Sequence, residues 1–110
     1  MDKKVTGFLG LIRRAGKLVI GCDPVVQSMA DGKSKLVVLA SDISANTKKV
    51  ILRNNELYNV KIVTLPISKE ELSIAVGKSA AVISVEDEGF AAGLLKKIAA
   101  DKGGITDDKV

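Results

Sequence analysis

The chain reads as an α/β protein, a three-layer α/β/α sandwich around a small, mostly four-stranded mixed sheet. Three observations predict it. Segments with helical periodicity alternate with strand-length apolar segments from end to end. After Lys35, the run to Ala40 is continuously apolar, as a strand covered on both faces requires. Start and stop residues mark the helical stretches at the expected places.

The first helix covers Lys3 to Ala15, with Val5, Phe8, Leu9 and Ile12 on one face and Gly16 as its stop. Lys17 to Ile20 is the first strand. A second helix follows, with Asp23 as N-cap and Pro24 at the first helical position, and ends near Gly32. Lys35 to Ala40 is the second strand. Ser44 caps a third helix, which carries Lys48, Lys49 and Arg53 and is expected to stop around Asn54-Asn55. Lys61 to Leu65 is a third strand, closed by Pro66. Ser68, with Glu71 three residues on, forms a capping box for a fourth helix that ends at Gly77. Ala80 to Val85 is the fourth strand. Asp87 opens the last helix, where Phe90, Leu94 and Ile98 recur every four residues. One domain is expected over residues 1–102, with a frayed tail over 103–110.

Composition narrows the function. The 110 residues are 46% hydrophobic with only three aromatics, so Val, Leu, Ile and Ala must build the core. No apolar run reaches the roughly 18–20 residues of a membrane span. The single cysteine, Cys22, cannot form an internal disulfide, which points to the reducing cytoplasm. The net charge of +4 is uneven: residues 1–53 hold ten Lys/Arg against four Asp/Glu, whereas 54–110 hold seven against nine. A basic front half points to a polyanionic partner.

Catalysis is disfavoured. The chain has no histidine, the commonest general base and transition-metal ligand. Gly77-Lys78-Ser79 imitates the end of a phosphate loop, but Leu72 stands where its leading glycine belongs. Glu86-Asp87-Glu88 is explained as a helix cap with favourable first-turn charges. No cofactor and no metal are expected. What remains is a binding surface. Gly21-Cys22-Asp23-Pro24 joins strand to helix, and a glycine there lets a ligand approach outward-facing N–H groups. The front-half cations Arg13, Arg14, Lys17, Lys33 and Lys35 are expected to gather beside it, with Arg13, Arg14, Lys17, Lys33 and Lys78 as the phosphate contacts. With no aromatic pair on a strand, folded RNA fits better than a stacked single strand.

Two stretches, Leu9-Gly10-Leu11-Ile12-Arg13-Arg14-Ala15-Gly16-Lys17-Leu18-Val19 and Leu39-Ala40-Ser41-Asp42-Ile43-Ser44-Ala45-Asn46-Thr47-Lys48-Lys49, carry a resemblance, reinforced by Asp87-Glu88-Gly89-Phe90. The chain resembles the kink-turn RNA-binding ribosomal-protein superfamily of the L seven-Ae and L thirty-e type, in particular its small bacterial branch. That resemblance implies the sandwich fold, RNA binding without catalysis, and a ribosomal or ribosome-associated role as a monomer. It places RNA contacts on Gly21, Cys22, Asp23, Pro24 and Gln27. A second contact region falls on Gly77, Lys78, Ser79, Ala80 and Ala81, with Ser41 to Ser44 behind them. Gly21 matches the family loop; Asp23, Pro24 and Gln27 stand where better-known members have Asn, Glu and Lys. Pro24 cannot accept a hydrogen bond from a guanine edge as a carboxylate does. The alternative on the same fold is a protein–protein interaction module.

Overall fold

The computed structural model describes residues 3–101 together with the backbone of Thr106 and Asp107. Its elements are α1 (Lys3–Arg14), β1 (Leu18–Ile20), α2 (Cys22–Ala30), β2 (Leu36–Leu39), α3 (Ala45–Tyr58), β3 (Ile62–Thr64), α4 (Lys69–Val76), β4 (Val82–Val85), α5 (Glu88–Ala100) and β5 (Thr106–Asp107). The strands lie in the order β1-β4-β2-β3-β5. β2 and β3 are parallel, and β4 is antiparallel to both β1 and β2. Consequently β1, β2 and β3 all run in one direction and β4 runs back between β1 and β2. The mixed sheet is the expected one, four strands of three or four residues plus the two-residue edge strand β5.

Side-chain alternation along the strands divides the core in two. Leu36, Val38, Ile83 and Val85 face α1, α4 and α5, meeting Leu9, Ile12, Leu72, Leu94 and Ile98. Val37, Leu39, Ile62 and Val82 face α2 and α3, meeting Val25, Met29 and Ile51. Strands β2 and β4 are buried along their whole length, which is why β2 is apolar without alternation and the one polar residue of β4, Ser84, shares a 2.6 Å hydrogen bond with the Ser34 hydroxyl. Each fully buried Leu or Ile contributes roughly 1.5–3 kcal/mol. Phe8 and Phe90 meet edge to face at 5.9 Å, and Lys97 Nζ lies 5.1 Å from the Phe8 ring centre. Two of the three aromatics therefore serve the α1–α5 contact.

The helix caps at Ser44, Ser68 and Asp87 form as expected, each side chain accepting from the N–H three residues on. Two boundaries differ. α2 starts at Cys22 with Gly21 as its N-cap, and the Asp23 side chain caps nothing. Pro24 is thus the third helical residue, where its missing N–H still costs no intrahelical bond. α3 continues past Asn54-Asn55 to Tyr58. The buried Asn55 ends it from inside: its side chain accepts from Val60 N–H at 2.6 Å and donates to Val60 C=O at 2.8 Å, while Asn59 turns left-handed. Of the segment expected to fray, only Thr106 and Asp107 are described, paired antiparallel with Thr64 and Val63; the rest lies outside the described residues.

Candidate nucleic-acid interface

Because β1, β2 and β3 share a direction, their carboxyl ends form one rim of the sheet, and α2, α3 and α4 all begin there. β4 enters at the same rim. Three helix amino termini therefore converge on one end, each with a partial positive charge, those of α3 and α4 capped by side chains. Carboxyl ends of strands in open α/β sheets are also where ligands bind.

The rim is tied together by main-chain and short side-chain bonds. Gly21 N–H donates to Val82 C=O at 3.0 Å, and Ala40 N–H donates to Ala81 C=O at 2.9 Å. Ser41 reaches Ile67 C=O with both its N–H (2.8 Å) and its hydroxyl (2.9 Å). Asp42 Oδ1 accepts from Lys69 N–H at 2.7 Å, so a loop 27 residues away caps α4. These contacts bring the segments after β1, β2 and β3 and before β4 into one continuous surface.

Gly21 has φ 104° and ψ 157°, a region open only to glycine in practice. That conformation lets the strand enter the helix without a loop. It also leaves α2 with no side-chain cap. Among the described residues, the N–H groups of Cys22 and Asp23 have no partner; Pro24 has none to offer, and Val25 N–H already bonds Gly21 C=O at 3.0 Å. Asp23 and Pro24 are exposed beside these donors. Cys22 is half-buried, and its thiol is pushed up from the ordinary cysteine value, first by burial and then by the Asp23 carboxylate. Neither influence activates the thiol as a nucleophile. Gln27 lies a turn further along α2, exposed, its amide donating to Asp31 Oδ1 at 2.8 Å.

The second expected contact region adjoins the first through β4. Gly77, Lys78 and Ser79 are exposed. Gly77 is left-handed (φ 76°), and a Cβ there would collide with the Arg13 guanidinium. Arg13 thus reaches from α1 to this turn and brings a cation beside Lys78. Ala80 is different: it is 5% exposed, and its N–H donates to Ser73 Oγ at 2.9 Å. It anchors the turn and presents almost no surface to a ligand. Ser73, which also donates to Lys69 C=O at 2.6 Å, holds Ala80 from within α4.

The expected gathering of cations beside Gly21 does not occur for four of them. Lys17 precedes β1 and Gly21 follows it, so roughly 13 Å of strand separates them. Lys33 and Lys35 lie beyond the carboxyl end of α2, whose nine residues span about 13 Å from Gly21's end. All three belong to the opposite rim. Arg14 lies elsewhere again, on the outer surface of α1 and α4 with Gly10, Glu71, Ile74 and Ala75. Sequence proximity misleads here because a strand carries its two ends to opposite sides of the sheet. Lys48, Lys49 and Arg53 lie on α3, where with Ala45, Leu52 and Glu56 they line a surface groove of about 540 Å³ that runs along most of the helix, whose first turn contains no acid. Lysines so near a helix amino terminus oppose its dipole, so helix stability does not account for them. The anchoring roles of Ser41, Asp42 and Ser73 left no local signal, since their partners are distant in sequence or across a turn.

The candidate site so defined is a main-chain rim on an α/β/α sandwich. The chain belongs to the ribosomal protein L7Ae/L30e/S12e/Gadd45 family, whose profile matches residues 3–94. It is 35% identical over 89 residues to the RNA-binding protein YlxQ of Enterococcus faecium, covering 81% of this chain and 85% of that protein. It is 38% identical over 85 residues to the RNA-binding protein YlxQ of Bacillus subtilis, covering 76% and 84%. A solved structure of a protein with unknown function from Bacillus halodurans superposes with a TM-score of 0.79 at 33% identity, covering 86% of this chain and 96% of that one.

Proposed function

We propose that this protein is a non-catalytic, cytoplasmic RNA-binding protein, ribosomal or ribosome-associated, that docks a kinked RNA helix on the rim where α2, α3 and α4 begin. The observation that carries this reading is the uncapped start of α2, where the Cys22 and Asp23 N–H groups stand open beside Gly21, whose own N–H is held by Val82 C=O at the start of β4. Such donors suit phosphate and base-edge acceptors alike. Arg13, Lys78, Lys48 and Lys49 supply positive charge around them. The names of the YlxQ relatives support RNA as the ligand.

A gel-shift comparison of a kink-turn RNA with a straightened control tests the reading. The kinked RNA is expected to bind more tightly, and engagement of about six phosphates lowers affinity by roughly three decades between 50 and 200 mM salt. Equal binding of both RNAs rejects kink recognition. The exposed Asp23 carboxylate beside the open N–H groups favours one alternative, a protein-binding rim; a stable protein complex through Gly21 with no RNA shift selects it.

A further inference from the structure

The opposite rim carries a second cluster. Lys17, Glu86 and Lys35 occupy one row across β1, β4 and β2: Glu86 N–H donates to Lys17 C=O at 2.9 Å, and Lys35 N–H donates to Val85 C=O at 2.8 Å. The next row, Leu18, Val85 and Leu36, faces α1, α4 and α5, so this row faces the α2 side. There Gly32 and Lys33, at the end of α2, close over it. The result is a groove of about 450 Å³ lined by Gly16, Lys17, Gly32, Lys33, Lys35 and Glu86.

Three exposed ammonium groups surround this groove, and none pairs with a carboxylate among the described residues. Lys35 Nζ reaches only Gly32 C=O, at 3.4 Å. Glu86 does not neutralise them by contact: its carboxylate turns toward α2 and accepts the Ser28 hydroxyl at 2.6 Å. The neighbouring acids are likewise engaged, Asp31 by the Gln27 amide and Asp87 by Phe90 N–H. Lys17 and Lys35 are two strands apart, about 9–10 Å between Cα atoms, and their flexible stems span adjacent phosphates. Helix-dipole complementation at the end of α2 explains Lys33 alone, because Lys17 belongs to no helix.

We propose that this groove is a second, sequence-independent site for the phosphodiester backbone of an RNA helix, distinct from the kink-docking rim. Ammonium groups without planar or base-directed partners hold phosphates by charge and read no sequence. Two RNA sites on opposite rims of a particle measuring 32 × 27 × 24 Å make the protein a bridge between two RNA segments.

The test uses an immobilised kink-turn RNA, the full-length protein and a labelled straight RNA duplex. Wild-type protein on the kink-turn is expected to capture the duplex, with a salt slope of about −2 to −3 for two or three phosphates. The triple variant Lys17→Gln/Lys33→Gln/Lys35→Gln is expected to bind the kink-turn within about twofold of wild type and to capture at least tenfold less duplex. Its urea midpoint, unchanged, separates lost binding from lost folding. Equal capture by wild type and variant overturns the proposal, as does the absence of capture by wild type loaded on the kink-turn. If wild type does not bind the kink-turn, duplex binding is read directly by fluorescence anisotropy. Loss of that binding in the triple variant keeps the second site while rejecting the kink-docking role; equal binding rejects both.

Discussion

On the reading proposed above, the two rims of the sheet meet an anion by different means. At the rim where β1, β2 and β3 end, positive potential comes from three helix starts and the N–H groups of Cys22 and Asp23, held in place by Gly21. At the other rim it comes from the side chains of Lys17, Lys33 and Lys35 on short turns. The first is rigid and directional, since each donor is fixed by backbone geometry. The second is mobile and diffuse. The contrast teaches that net charge is a poor guide to where an interface lies: the chain's most precise donors are uncharged, and they share their rim with the carboxylates of Asp23 and Asp42.

Substitutions that bend the main chain should therefore damage the first rim far more than removal of the lysines at the second rim does. Gly21→Val carries the largest expected effect. Its φ of 104° costs a β-branched residue about 1–3 kcal/mol, visible in urea denaturation, and kink-turn affinity should fall by more than about tenfold as the open N–H groups move. A Gly21→Val protein with wild-type stability and affinity breaks the comparison. Ser73→Ala comes next. It leaves the buried Ala80 N–H without its acceptor, at about 1–3 kcal/mol, and should loosen Gly77–Ser79 without removing any charge.

Gly77→Ala is expected to cost about 1–2 kcal/mol from its left-handed backbone and to displace Arg13. Gly77→Asn sharpens the result, because asparagine tolerates the backbone while its Cβ still displaces Arg13. Affinity lost in both variants, with stability largely restored in Asn, assigns Arg13 to the interface. The smallest effect concerns Cys22. With its thiol raised above the unfolded value, folding gains a small contribution that is complete below the unfolded thiol pKa and disappears as pH rises through the folded one. Asp23→Asn should lower the Cys22 pKa and speed thiol alkylation at mildly alkaline pH; an unchanged rate removes the Asp23 charge from the account.

Much of this architecture is legible in the sequence, for identifiable reasons. Leu36–Ala40 reads as a doubly covered strand because it is one. Ser44, Ser68 and Asp87 read as caps because capping is local, three residues from the accepting side chain to the N–H donor. Asp23 misleads because the same local rule cannot see that Gly21 adopts a backbone that starts the helix two residues earlier than a cap at Asp23 allows. Asn55 misleads because a stop signal and a buried capping side chain use the same residue type. The separation of Lys17 from Gly21 is invisible to composition, since it depends on strand direction. Ser73 and Asp42 are legible only once their distant partners are known.

The conformation at Gly21 has one more consequence. Donors that belong to peptide groups do not ionise, and the chain has no histidine. Recognition through Cys22 and Asp23 N–H therefore carries no built-in proton switch. Acidification from pH 8 to 6 should leave docking at this rim nearly constant, while a change in electrolyte strength is felt at once.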